Sequence, residues 1–217
     1  KPRPAWLMHL FVAGMALLAG ALSLWLAPGA WPGDWIGLLG FVVLAALAEG
    51  LSIEIYARDS SVSTSAAAIL AGVMLYGPVG VIALGATVGT IAWIKNRGPL
   101  SRLIFNAANH ILAGYLAYGT LQLVGHWGGV EANFLLIFGA TAAALIKYLS
   151  TTSLVSVAVD LNTGQSVVSV WNQRFRWLAP YYIALGGLSY VLVTVYHVAG
   201  LVGVLVSLAP LIMIRFR

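Results

Sequence analysis

The chain has 217 residues, 61% of them hydrophobic and only 8% charged, with a mean hydropathy of +0.95. Soluble domains are about a quarter charged, so this composition belongs to an integral membrane protein. Cysteine is absent, which excludes disulfides, thiolate metal sites and cysteine catalysis, and the net charge of +5 has to be interpreted from where its eleven basic residues fall.

Breaks at Pro, Gly and charge clusters leave eight apolar runs: 5–27, 35–57, 62–76, 79–94, 103–125, 133–159, 177–195 and 199–214. The first follows Lys1 and Arg3 and is too long for a signal-peptide core, so it is expected to be a retained spanning helix. Runs 62–76 and 79–94 are shorter than the roughly 20 residues a bilayer needs. The Gly77-Pro78 step between them predicts a tight turn and a short or re-entrant hairpin. The last two runs form a second such pair, with its turn expected around Tyr196-His197.

With the N-terminus inside, one side collects Lys1, Arg3, Arg58, Lys95, Arg97, Arg102, Arg174, Arg176, Arg215 and Arg217. The turns on the other side hold no basic residue. Cytoplasmic loops carry such an excess, so the chain is expected to be one all-α polytopic bundle of six to eight helices with both termini cytoplasmic, in a bacterial inner membrane. The basic pI is then a topology signal, and nucleic acid is not an expected partner. The loop 160–177 (DLNTGQSVVSVWNQRFRW) suggests a short interfacial helix, with Val167, Val168, Val170, Trp171 and Phe175 toward lipid and Arg174 and Arg176 at headgroups. No convincing internal repeat is apparent.

Few ionisable residues fall deep in the runs: Glu49, His110 and Lys147, with Glu54 nearer the inner edge. A charge at the bilayer centre costs about 2.5–3.5 kcal/mol on insertion scales, so each should face the bundle or a wet cavity. Counting from the inner ends places Glu49 about 12 Å deep, Asn109 and His110 about 10 Å, and Lys147 about 16 Å. In LIFNAANHIL, Asn106, Asn109 and His110 stand at i, i+3 and i+4, on a single helical face. Two interpretations fit these residues. One is interhelical hydrogen bonding, with Glu49 and Lys147 as a buried ion pair. The other is a polar pocket for a small molecule or lipid headgroup, built from Glu49, Asn106, Asn109, His110, Lys147 and Tyr148. No catalytic or cofactor-binding motif accompanies them, and neither a cofactor nor a metal is expected.

Three segments resemble a known family: SVSTSAAAILAGVMLYGPVGVIALGATVGTI, then PLSRLIFNAANHILAGYLAYG, then FRWLAPYYIALGGLSYVLVTVYHVAGLVGVLVSLAPLIMIRFR. Together they resemble the multipass N-terminal module of bacterial HD-GYP phosphodiesterase and diguanylate cyclase signalling proteins, over about Glu49 to Arg217. The Phe105-Asn106 step and the Ser63-x-Ser65 start of run three are its sharpest points. The pattern is also similar to the substrate-binding subunits of energy-coupling-factor transporters. The resemblance implies a non-catalytic sensory module that binds a small molecule or lipid and signals through its last helix to a cytoplasmic output domain. The alternatives are a substrate-capture subunit with a partner subunit, and an intramembrane enzyme. Membrane lipids surround the bundle in each case, and a homodimer is left open.

Overall fold

The computed structural model describes the backbone at residues 3–55, 60–62, 64–125 and 132–215, and the side chains at 3–52, 64–125 and 136–206. Lys1, Ser63, Arg58, Arg217 and the side chains of Glu54 and Arg215 lie outside these residues. The described chain is helical apart from one element the sequence did not predict. Two three-residue strands, β1 (Ile53–Ile55) and β2 (Ser60–Val62), pair antiparallel with Ile53 opposite Val62.

The long helices are α1 (Ala5–Leu26), α2 (Trp35–Gly50), α3 (Ser65–Asn96), α4 (Leu100–Gly125), α5 (Ala132–Thr163) and α7 (Ala179–Arg215), with a four-residue turn α6 (Val167–Val170) before the last. Asp34 caps α2, its Oδ1 accepting from the Gly37 N–H at 2.8 Å and satisfying a donor the helix start leaves open. Four helical segments are long and apolar enough to cross a membrane: Ala5–Leu26, Ser65–Asn96, Leu136–Thr163 and Val167–Val206.

Two of these segments fold back on themselves. A straight helix of α3's length would separate its ends by about 46 Å. Instead Ser65 and Asn96 line one cavity. The reversal is at Gly77 (φ 53°, ψ −135°), a conformation essentially confined to glycine. Beyond it the arms are so close that a Cβ on Gly80 would lie 2.3 Å from the Gly72 carbonyl oxygen. The same construction recurs in α7. Gly200 (φ 62°, ψ −159°) reverses the chain, and a Cβ on Gly203 would meet Ala199 Cβ at 2.4 Å and the Val195 carbonyl oxygen at 3.5 Å. The second tip therefore lies at Gly200, beyond the expected Tyr196-His197. Both tips have one local sequence, Gly-x-Val-Gly-Val, at 77–81 and 200–204. Five residues of such common types do not stand out as a repeat in the sequence alone.

The small residues of the 78–96 arm determine how it packs. Side chains at Gly85 and Gly89 would strike the α4 backbone, at Ile111 N (3.1 Å) and Ala107 Cα (2.6 Å) respectively, so α3 and α4 lie nearly in backbone contact. Van der Waals packing of this kind is what holds helices together where lipid removes the hydrophobic drive. Around it Phe41, Ala45, residues 66–69, Val81, Leu84 and Val88 form the main core. Helix α1 runs alongside α4, with Phe11 6.2 Å from Phe105 and Tyr115 donating to Ser23 Oγ at 3.1 Å. Arg3 pairs with Asp160 at 2.7 Å, so the start of α1 and the end of α5 share one end of the bundle.

Candidate functional site

At that end the helices diverge around a cavity of about 300 Å³. Each wall is a short polar stretch of an otherwise apolar helix. The end of α2 supplies Glu49, with Ser52 just beyond it, and the start of α3 supplies Ser65, Ala66 and Ile69. The descending arm of α3 ends in Ala92, Lys95 and Asn96, and α4 presents Asn106, Asn109 and His110. Helix α5 contributes Lys147, Thr151, Thr152 and Val155, and Phe175, Leu178 and Tyr182 complete the ring. Lys95 and Asn96 are exposed and mark the mouth, while Asn109 and Lys147 are 3% and 2% exposed and lie at the bottom.

Five of the six residues expected to form a site, Glu49, Asn106, Asn109, His110 and Lys147, are thus brought to one cavity from three helices. Tyr148 is not among its lining residues. It follows Lys147 by one position, about 100° around the helix, and cannot share that face. Its hydroxyl donates to the Phe175 carbonyl at 3.0 Å, and its ring lies 4.9 Å from that of Tyr182. Tyr148 therefore braces the segment that closes the cavity.

The Glu49–Lys147 ion pair of the first interpretation does not form. Glu49 Oε2 accepts from Ser65 Oγ at 2.7 Å, and Lys147 Nζ lies 3.5 Å from His110 Nδ1. The only ion pair among the described side chains is the distant one between Arg3 and Asp160. A buried charge is costly unless paired or hydrogen-bonded. Two further buried atoms in the wall, Asn109 Oδ1 and Thr151 Oγ1, have no hydrogen-bond partner among the described residues. Thr151 stands apart here, because other helical hydroxyls satisfy themselves on the carbonyl four residues back: Thr87 on Ala83, Thr90 on Ala86 and Ser156 on Thr152.

The segment after α5 also departs from expectation. Gly164 (φ 72°) ends α5, and α6 leads through a π-helical turn (Trp171–Phe175) and a 3₁₀ turn (Arg176–Leu178) into α7. Val168 is 66% exposed, as the interfacial reading requires. Val170 is buried, the Trp171 indole donates to Thr152 Oγ1 at 3.0 Å, and Phe175 lines the cavity. These three face the protein because the indole N–H and the Phe175 carbonyl find their partners on α5.

Sequence reasoning missed Ser65, Thr151 and Phe175. Thr151 could have been found, since Lys147, Thr151 and Val155 form an i, i+4, i+8 stripe equivalent to that of the Asn106 face.

At the opposite end a second polar cluster joins the hairpins. The Tyr196 hydroxyl donates to Asp34 Oδ2, and the Tyr76 hydroxyl lies over the same glycine, Gly37, where a Cβ would be 2.2 Å from it. The rings of Tyr76 and Tyr196 flank Phe41 edge-on at 6.2 and 5.5 Å. No family model matches the chain, and neither a curated protein nor a solved structure is significantly similar to it.

Proposed function

We propose that this chain is a membrane-embedded sensory input module that binds a small polar molecule in the cavity at its basic end. The observation that carries this reading is the convergence of a fully buried lysine with two unpartnered polar atoms, Asn109 Oδ1 and Thr151 Oγ1, on one cavity. A purely structural network would satisfy those atoms within the protein. The volume is at the lower end of the roughly 300–1,000 Å³ of small-molecule sites, which favours a compact ligand.

In this reading the two folded-back helices count as four passes, giving eight helical segments in all. Both termini are cytoplasmic, and Arg3, Lys95, Arg97, Arg102, Arg174 and Arg176 form a positive inner face in a bacterial cytoplasmic membrane. Phe175 and Leu178 belong to the cavity wall and lead directly into α7. A ligand that shifts them would therefore move the helix that leads to an output domain or partner subunit.

Native mass spectrometry of the detergent-released protein tests this. A small molecule should co-purify at one per chain and be lost in Asn109→Leu, with helicity retained. The reading fails if no small molecule binds and the cavity variants behave as the parent in every respect.

A further inference from the structure

The charges of the cavity suggest what kind of molecule fills it, an inference that rests on the binding role proposed above. Lys147 and Glu49 line the same space without pairing. Among the described residues Lys147 has only the His110 ring nitrogen at 3.5 Å, and Glu49 Oε2 takes a neutral hydroxyl from Ser65. Lys95, at the mouth, is already engaged by the Ser52 carbonyl and hydroxyl at 2.8 and 2.9 Å, so the floor of the site offers one cationic and one anionic group, separately held. In a low-dielectric interior, a ligand with net charge would satisfy one of them and oppose the other. A neutral, purely hydrogen-bonding ligand would leave both without an opposite charge in direct contact. A ligand carrying both signs completes both contacts.

We infer that the cavity takes a small zwitterion of the amino-acid class, its carboxylate on Lys147 Nζ and its ammonium on the Glu49 carboxylate. The amides contribute further contacts. Asn109 Oδ1 and Thr151 Oγ1, both buried and lacking partners among the described residues, can accept the remaining ammonium hydrogens. Asn106 lies one helical turn closer to the mouth on the α4 face. Size agrees with charge, since about 300 Å³ corresponds to roughly ten water volumes at ~30 Å³ each. That is the scale of a free amino acid and too small for a nucleotide. Ile69, Ala66 and Val155 supply an apolar side on which an aliphatic side chain would rest.

The test uses the full chain in lipid nanodiscs and isothermal titration with four probe classes. These are zwitterions (L-serine, L-glutamine, L-valine), monoanions (acetate, isovalerate), a cation (isobutylamine) and a neutral polyol (glycerol). At least one zwitterion should bind saturably. Its counterparts lacking either charge should bind about tenfold or more weakly, the equivalent of about one charged hydrogen bond. Glu49→Gln and Lys147→Met should each weaken it to a similar extent, with Lys147→Gln used if the methionine variant does not fold. Binding of isovalerate as tight as that of L-valine, unaffected by Glu49→Gln, would make the ligand an anion and overturn the zwitterion assignment while leaving the binding role intact. Preference for the amine or the polyol overturns it in the same way. If no probe binds and nothing co-purifies, the binding role fails as well.

Discussion

The Tyr196 hydroxyl donates to the carboxylate of Asp34, joining the second helical hairpin, just before its tip, to the first turn of α2. The Tyr76 hydroxyl beside the first tip lies over the same turn, so a single acidic residue stands where both hairpins meet. That hydrogen bond, and after it the Gly37 N–H, hold the Asp34 carboxyl below its ordinary value. A lowered folded-state pKa contributes stability above the unfolded value of about 3.9, and this is lost as pH falls through the folded value. The melting temperature of the parent should therefore exceed that of Asp34→Asn at pH 6, and the gap should close below about pH 4. Tyr196→Phe should show a smaller gap than the parent over the same range. A gap that does not change with pH would show that the carboxylate charge is not involved.

Replacing Gly77 or Gly200 by alanine should destabilise the protein by about 1–3 kcal/mol, because each occupies a positive-φ conformation that a side chain strains. Gly119 has open space around it and an ordinary helical backbone, so Gly119→Ala should be neutral or slightly stabilising. Denaturant titration of the three variants in one detergent gives the comparison.

Gly89→Ala tests the close approach of α3 and α4. The added methyl would sit 2.6 Å from both Ala107 Cα and its backbone nitrogen, neither of which can rotate away. Overpacking of this kind costs typically about 1–3 kcal/mol, and the loss should be accompanied by a change in the spectroscopic signature of Trp93, one turn further along the arm. Unchanged stability would mean that the two helices separate easily.

Lys147→Met should bind ligand poorly and yet raise the stability of the empty protein by roughly 1–3 kcal/mol, the order of the penalty for a buried polar group without a full partner. A thermal melt and a binding titration on one preparation would separate the two effects. Reduced stability would instead mark Lys147 as a structural residue.

Since the chain has no cysteine, single cysteines can report its orientation directly. Cysteines at Arg97 and Gly164 should react with impermeant maleimide only in inverted vesicles, and those at Gly33 and Ala199 only in right-side-out ones. Labelling of Arg97→Cys from outside would reverse the proposed orientation.

Much of this architecture is legible in the sequence because bilayer physics leaves few alternatives. Gly77-Pro78 announces its turn, since proline cannot continue the hydrogen bonding and glycine can take the required φ. Gly200 announces nothing, because Val198, Ala199 and Leu201 around it would suit an uninterrupted helix equally well. The polar stripe of α4 was visible from its spacing alone. Which residues of α5 face it depended on helical phase, and Tyr148 was assigned to the cavity by adjacency to Lys147 when it lies about 100° around the helix. Trp171 and Phe175 resemble interfacial anchors, and only the π-helical turn, which no local pattern specifies, directs them to Thr152 and the cavity.

The glycine reversals also bear on how the protein is made. The ascending arm at 65–76 has twelve residues, about 18 Å of helix against a hydrocarbon core of about 30 Å. Such an arm cannot be released into lipid as a span of its own. On the proposed membrane reading it is expected to enter the bilayer together with residues 78–96, against which it is folded at Gly72 and Gly80. Insertion by hairpins is the route this geometry predicts, and a substitution that opens the Gly77 turn should then lower the amount of protein recovered from membranes before any equilibrium loss of stability is measured.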